Sequence, residues 1–141
     1  MENQLINFET AKLAKEKGFN EKCVSYYVLN YSTFKATKEA KNFSTPLENN
    51  KNILQLQNLS VGQPHLALAP TQSLLQKWLR DKYDIDILCI PNILGYELRI
   101  TERIDNPYRI QYVKITGNNL FQHYEECLEA GLFESLNYIK L

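Results

Sequence analysis

Cysteine is scarce in this chain. There are three, Cys23, Cys89 and Cys127, widely spread and without metal-ligand spacing. An odd, scattered count excludes a disulfide framework by pattern and reads as reduced thiols in a cytoplasm-like compartment. Charge of one sign is missing too, since Lys+Arg and Asp+Glu both total 16. With no global field, a strongly basic nucleic-acid binder and an acidic mimic of nucleic acid are both disfavoured, although a local patch is still allowed. No segment approaches ~20 consecutive apolar residues, and Met1-Glu2-Asn3-Gln4 leads into no apolar run of signal length. Neither a membrane span nor export is expected, and the location expected is the cytoplasm. Gly-rich phosphate loops, a G-x-S-x-G elbow, H-E-x-x-H and a Walker motif are all lacking.

What is there suits one ordinary globular domain spanning residues 1–141, with 44% hydrophobic and 23% charged residues. Asn7 is placed to cap a helix from Phe8 to about Lys17. Gly18 would take the left-handed position after it, and Phe19 would fold back in a Schellman end. Cys23-Val24-Ser25-Tyr26-Tyr27-Val28-Leu29 is β-branched and aromatic, as a strand should be. Residues 33–52 turn polar and read as a long loop, a feature uncommon in compact domains unless it has a use. Ile53–Gln57 fits a short strand or one helical turn, and Val61–Pro64 a turn.

The clearest helix start lies at Pro70 or Thr71. Leu74, Leu75, Trp78 and Leu79 share one side of the helical wheel and form a buried stripe with Trp78 as core anchor. Gln72, Ser73, Gln76, Lys77 and Arg80 are left without a packing reason. Three strands should follow as a meander, Ile85–Ile90, Tyr96–Ile104 and Tyr108–Ile115, turning at Pro91–Gly95 and Asp105–Pro107. Alternation puts Ile85, Ile87, Cys89, Leu98, Ile100, Ile104, Tyr108, Ile110 and Tyr112 on one face. Glu102 falls there as well and must reach the sheet margin. Gly117-Asn118-Asn119 should cap a last helix from Leu120 to about Ile139, with Phe121, Tyr124, Leu128, Leu132, Leu136 and Ile139 as its stripe. The fold class expected is α+β, two layers: an antiparallel β-meander covered on one face by helices, which the amino-terminal helix and strand extend.

Few residue groups could carry chemistry. His123 and Cys127 are four apart on a helix, but His123 lies well off the apolar stripe and no third ligand has diagnostic spacing. No base is placed beside a thiol, and His65 has no partner that can be named. Glu125, Glu126 and Glu129 in the last helix's first turns need only the macrodipole to explain them. On the outer face of the meander, Arg103 should face Arg109, with Asp84 near Arg103 and Asp86 within reach of Arg99. The surplus of Arg99, Arg103, Arg109 and Lys114 makes that face the best candidate binding surface, with Lys77 and Arg80 as further outward cations. Catalytic residues, metal ligands and cofactors are expected to be none.

Three phrases carry a resemblance: Leu68-Ala69-Pro70-Thr71-Gln72-Ser73-Leu74-Leu75-Gln76-Lys77-Trp78-Leu79-Arg80, Phe8–Phe19, and Tyr124-Glu125-Glu126-Cys127-Leu128-Glu129-Ala130-Gly131-Leu132. In order and spacing they resemble an uncharacterised family of small proteins from Bacteroidetes and their phages and prophages. The chain departs from that family in the Asn/Lys-rich insert after Tyr31. The resemblance implies a mobile-element accessory protein in the cytoplasm of a bacterial host, without an assigned activity and so without residues to carry over. The expectation is a non-catalytic interaction protein with an unknown protein partner. A nucleic-acid-binding module using the arginine-bearing face is the alternative, and no membrane partner is expected.

Overall fold

In the first helix, α1 (Phe8–Glu16), the Asn7 side chain accepts a hydrogen bond from the Thr10 backbone N–H at 2.9 Å. That satisfies one of the donors that every helix start leaves open. The other end closes at Gly18, φ +92°, with Gly18 N–H donating to the Lys15 carbonyl and Phe19 N–H to that of Ala14. This is the Schellman pattern expected from the sequence, and Phe19 is buried beside it. The computed structural model describes residues 4–29, 41–42, 65–105, 109–115 and 120–140, giving the backbone alone at 28–29, 41–42, 65–66, 105 and 109–115.

The chain divides into two compact units. In the first, Leu5–Thr71, α1 accompanies a three-stranded antiparallel sheet ordered β2-β1-β3, where β1 is Ser25–Leu29, β2 Lys41–Asn42 and β3 His65–Leu68. The Tyr27 hydroxyl donates to the Ile6 carbonyl at 2.7 Å, and its ring meets Phe8 edge-on, with centroids 5.6 Å apart. Two expectations change here. The amino-terminal helix and strand do not extend the meander, because β1 pairs with β2 and β3. Within the expected 33–52 loop, Lys41 and Asn42 form a strand on Tyr26 and Ser25. The rest of that loop, Ile53–Gln57 and Val61–Pro64 lie outside the described residues.

The second unit, Gln72–Leu141 with Met1–Gln4, has α2 (Gln72–Tyr83), the meander β4 (Ile85–Asn92), β5 (Gly95–Asp105) and β6 (Arg109–Ile115), and α3 (Tyr124–Tyr138). Both helices pack against β4, α3 also covers β5, and the helices touch each other. The class is α+β, as the alternation and the helical stripes imply, while the strands form two antiparallel sheets instead of one extended meander. Leu75, Trp78 and Leu79 from α2 join Ile85, Ile87, Leu98 and Ile100 from the sheet and Leu128, Leu132 and Leu136 from α3 in the core. Trp78, 6% exposed, is the core anchor expected of it.

The last helix begins four residues later than expected. Phe121 exchanges backbone hydrogen bonds with Tyr96, at 2.7 and 2.9 Å, so residues 120–121 serve a β-bridge instead of a helical turn. The N-cap is His123, which makes no side-chain cap hydrogen bond. The buried face is also broader than the expected stripe: Cys127, Gly131 and Ser135 lie on it, while Tyr124 is exposed. The Ser135 hydroxyl is fully buried and finds no hydrogen-bond partner among the described residues. An unpaired buried hydroxyl carries a desolvation penalty, and serine is a poorer helix former than alanine. Ser135→Ala is therefore expected to stabilise this unit by about 1 kcal/mol in urea denaturation.

Candidate functional site

Strand β4 runs into a two-residue turn, Ile93–Leu94, and returns as β5 with Asn92 paired to Gly95. The Asn92 side-chain oxygen accepts hydrogen bonds from the Leu94 and Gly95 backbone N–H groups at 2.8 and 3.0 Å. Asparagine shapes the turn in this way, leaving the two central side chains no structural task. Ile93 is fully exposed and Leu94 is 74% exposed. On the sheet face away from the helices, Leu88, also exposed, pairs with Arg99 and Ile90 with Glu97.

Among the described side chains of that face, opposite charges pair locally. Arg99 binds Glu97, with Nε to Oε1 at 3.3 Å. Arg103 sits between two aspartates, 3.3 Å from Asp86 and 3.7 Å from Asp84. Asp84 therefore meets Arg103 as the strand alternation implies, but Asp86 goes to Arg103 and not to Arg99. The expected Arg103–Arg109 facing pair is replaced, because register shifts at Ile100/Thr101 and Arg103/Asp105 set Arg103 opposite Ile110 and Arg109 opposite Asp105. One such slip moves a whole strand's alternation. Ile110 and Tyr112 accordingly pair with the exposed Arg103 and the buried Thr101, and Lys114 pairs with the buried Ile100. Tyr108 lies outside the described residues. Among the described side chains, three carboxylates meet the two guanidiniums of Arg99 and Arg103.

On α2, Lys77 forms an i,i+4 ion pair with Asp81. Its ammonium, through that hydrogen bond, holds the Asp81 carboxyl below the usual carboxylate range. Arg80 is exposed, and its carbonyl accepts from the Arg103 guanidinium at 3.5 Å. Of the candidate cations with described side chains, Lys77, Arg80 and Arg103 gather around the α2–β4 junction and Arg99 stands apart on Glu97, while Arg109 is placed only by its backbone. Two residues set aside as outward have packing tasks. Gln72 is buried, donating to the Glu125 carbonyl and the Glu129 carboxylate, while Gln76 donates to the Ile87 carbonyl.

A cleft of about 520 Å³ opens beside that junction, lined by Lys82, Tyr83, Asp84, Glu102, Tyr138 and Lys140 among others. Glu102 reaches the sheet margin as anticipated, where it accepts a hydrogen bond from Tyr138. Several polar groups in the cleft are engaged with one another or with neighbours: Tyr138 with Glu102, Asp84 with Arg103, and Lys82 over the Trp78 and Tyr83 rings. Asp84 takes a left-handed conformation, φ +57°, which an aspartate tolerates at the end of a helix.

The Glu102 hydrogen bond raises the Tyr138 hydroxyl above the ordinary tyrosine range. A group raised on folding contributes stability that is complete below its unfolded value, about 10 for tyrosine, and is lost as pH climbs through the folded one. Ultraviolet titration of Tyr138 should show late ionisation, and Glu102→Gln should bring it back toward the ordinary range. An unchanged titration in that variant would contradict the assignment.

The sequence-level cysteine and histidine candidates do not converge as drawn. His123 is exposed in extended backbone, Cys127 is fully buried, and His65 belongs to β3, a strand not foreseen. Cys127 instead lies beside Cys89, half-buried on β4 and 38 residues away in sequence, close enough for each thiol to influence the other's titration. No spacing rule would have paired them. Among the described residues no helix is long and apolar enough to cross a membrane. No family, curated protein or solved structure matches the chain.

Proposed function

We propose that the chain is a small non-catalytic accessory protein of a bacterial mobile element, binding another protein inside the host cell through the tip of the β4–β5 hairpin. The observation that carries this reading is the Ile93–Leu94 tip, two aliphatic side chains held in solvent by a turn that does not need them. Isolated exposed aliphatics are ordinary, but two consecutive ones on an ordered turn form a ready anchor for an apolar pocket. The partner chemistry that fits is a protein presenting such a pocket. The mobile-element setting rests on the resemblance of the three phrases.

The alternative, a nucleic-acid module on the arginine face, loses support from the pairing of Arg99 and Arg103 with carboxylates. A protein that neutralises phosphates needs cations free to do so, and its binding weakens steeply with salt. Titration of labelled DNA and RNA at ~50 mM salt is expected to be flat. Binding that collapses with added salt would replace the protein-interaction reading with the nucleic-acid one. In affinity capture from the host, Arg103→Glu is expected to retain the same protein partner, and loss of that partner would move the contact to the charged face.

A further inference from the structure

Helix α3 runs antiparallel to β4, and three contacts set its register. Tyr138 meets Glu102, which pairs with Ile85. Gly131 lies over Ile87 and Leu98, so close that an added Cβ would come within 2.5 Å of the Ile87 Cγ2 methyl. Tyr124 stacks edge-on against Tyr96, which pairs with Pro91, with ring centroids 5.8 Å apart. Cys127 is one turn before Gly131, and Cys89 is two residues beyond Ile87 on the same face of the strand. Four helical residues advance about 6 Å and two strand residues about 6.8 Å, so the steps agree and Cys127 falls on Cys89. The influence of each thiol on the other's titration agrees with that register.

Two features make the pair more than a packing accident. Gly131, lacking a side chain, lets the helix approach the strand closely one turn from Cys127. The two sulfurs also differ in access, Cys127 being fully buried and Cys89 half-buried. We propose that Cys89 and Cys127 are an oxidisable dithiol, which hydrogen peroxide or a related small peroxide closes into an intramolecular disulfide joining α3 to β4. Cys89 reacts first: its sulfur attacks a peroxide oxygen, the O–O bond breaks, and the products are a Cys89 sulfenic acid and one water. The Cys127 sulfur then attacks the sulfenic sulfur. The S–S bond forms, the S–O bond breaks, and the departing oxygen leaves as a second water with the Cys127 proton. Each peroxide is reduced by two electrons as the dithiol is oxidised by two.

Burial holds both thiols protonated in neutral solution, so attack on peroxide proceeds slowly through the minor thiolate fraction and calls for a small oxidant able to reach Cys89. Cys23, buried in the Leu5–Thr71 unit and with its thiol pushed up to about 12 by burial, is the internal control. The inference does not depend on the hairpin-tip reading. It does place a removable covalent link across β4, the strand that leads to that tip.

The test is peroxide treatment of the full chain at fixed pH, followed by non-reducing peptide mapping and intact mass. The expected product has lost two hydrogen atoms, links the Cys89 and Cys127 peptides, leaves Cys23 open to alkylation and reverts with dithiothreitol. Cys127→Ser should abolish the link and carry Cys89 on to sulfinic acid, whereas Cys23→Ser should form the link as wild type does. Wild-type protein whose Cys89 goes to sulfinic acid while Cys127 remains a thiol would overturn the proposal. Disulfides that join only separate copies of the chain would overturn it equally.

Discussion

Gly131→Val is expected to destabilise the Gln72–Leu141 unit by about 3 kcal/mol. Glycine in mid-helix costs about 1 kcal/mol against alanine, so on propensity alone almost any replacement should help. Position 131 reverses that expectation because α3 lies on the sheet there: a Cβ would stand 2.5 Å from Ile87 Cγ2 and 2.8 Å from Leu98 Cδ1. Leu98 can swing its terminal methyl aside. Ile87 cannot do so readily, because its Cγ2 sits on a branched Cβ with few rotamers and is itself buried. Stability should fall in the order Gly, Ala, Val, measured by urea denaturation with Trp78 fluorescence. An alanine variant more stable than wild type would mean that the helix lifts off the sheet without cost, and would undo the close approach argued for α3.

Gly95→Ala should cost about as much by a different route. Gly95 has φ +152°, where side chains are rarely accommodated, and conformations of this kind cost about 1–3 kcal/mol. The added Cβ would also stand 2.5 Å from the Phe121 carbonyl oxygen, a backbone atom already accepting from Tyr96 N–H. Backbone pinned by a β-bridge has no rotamer with which to yield. A combined loss of about 3 kcal/mol is expected, with faster amide exchange at Tyr96 as the specific sign that the bridge has opened. Slowed or unchanged exchange at Tyr96 would show that Phe121 does not hold that position.

Much of the fold is legible because it is local. Asn7, Gly18 and Phe19 announce both ends of α1 through cap chemistry confined to a few residues, and the Leu75, Trp78 and Leu79 stripe marks α2. Residues whose role depends on distant partners are less readable. Ile110 and Tyr112 alternate like inward residues, yet the register shifts in β5–β6 pair them with Arg103 and Thr101. Leu120 and Phe121 look like a first helical turn, and only the bridge to Tyr96 reveals otherwise. Gln72 and Gln76 look like solvated positions until the Glu125 and Ile87 carbonyls are placed before them. The candidate site divides in the same way. The arginines were visible, and Glu97 beside Arg99 is local, but the pairing of Arg103 with Asp84 and Asp86 depends on register. The Ile93–Leu94 tip reads in sequence only as a turn, because exposure is a property of the folded hairpin.

The central claim, that the hairpin tip binds a protein, is tested most directly by replacing both tip residues at once, Ile93→Asp with Leu94→Asp. Neither side chain is buried, so the melting temperature should stay near that of the wild type. Affinity for the partner captured by the wild-type chain should fall at least about tenfold, as expected when a central apolar anchor is removed. Unchanged affinity in the double variant, with the chain still folded, would contradict the account.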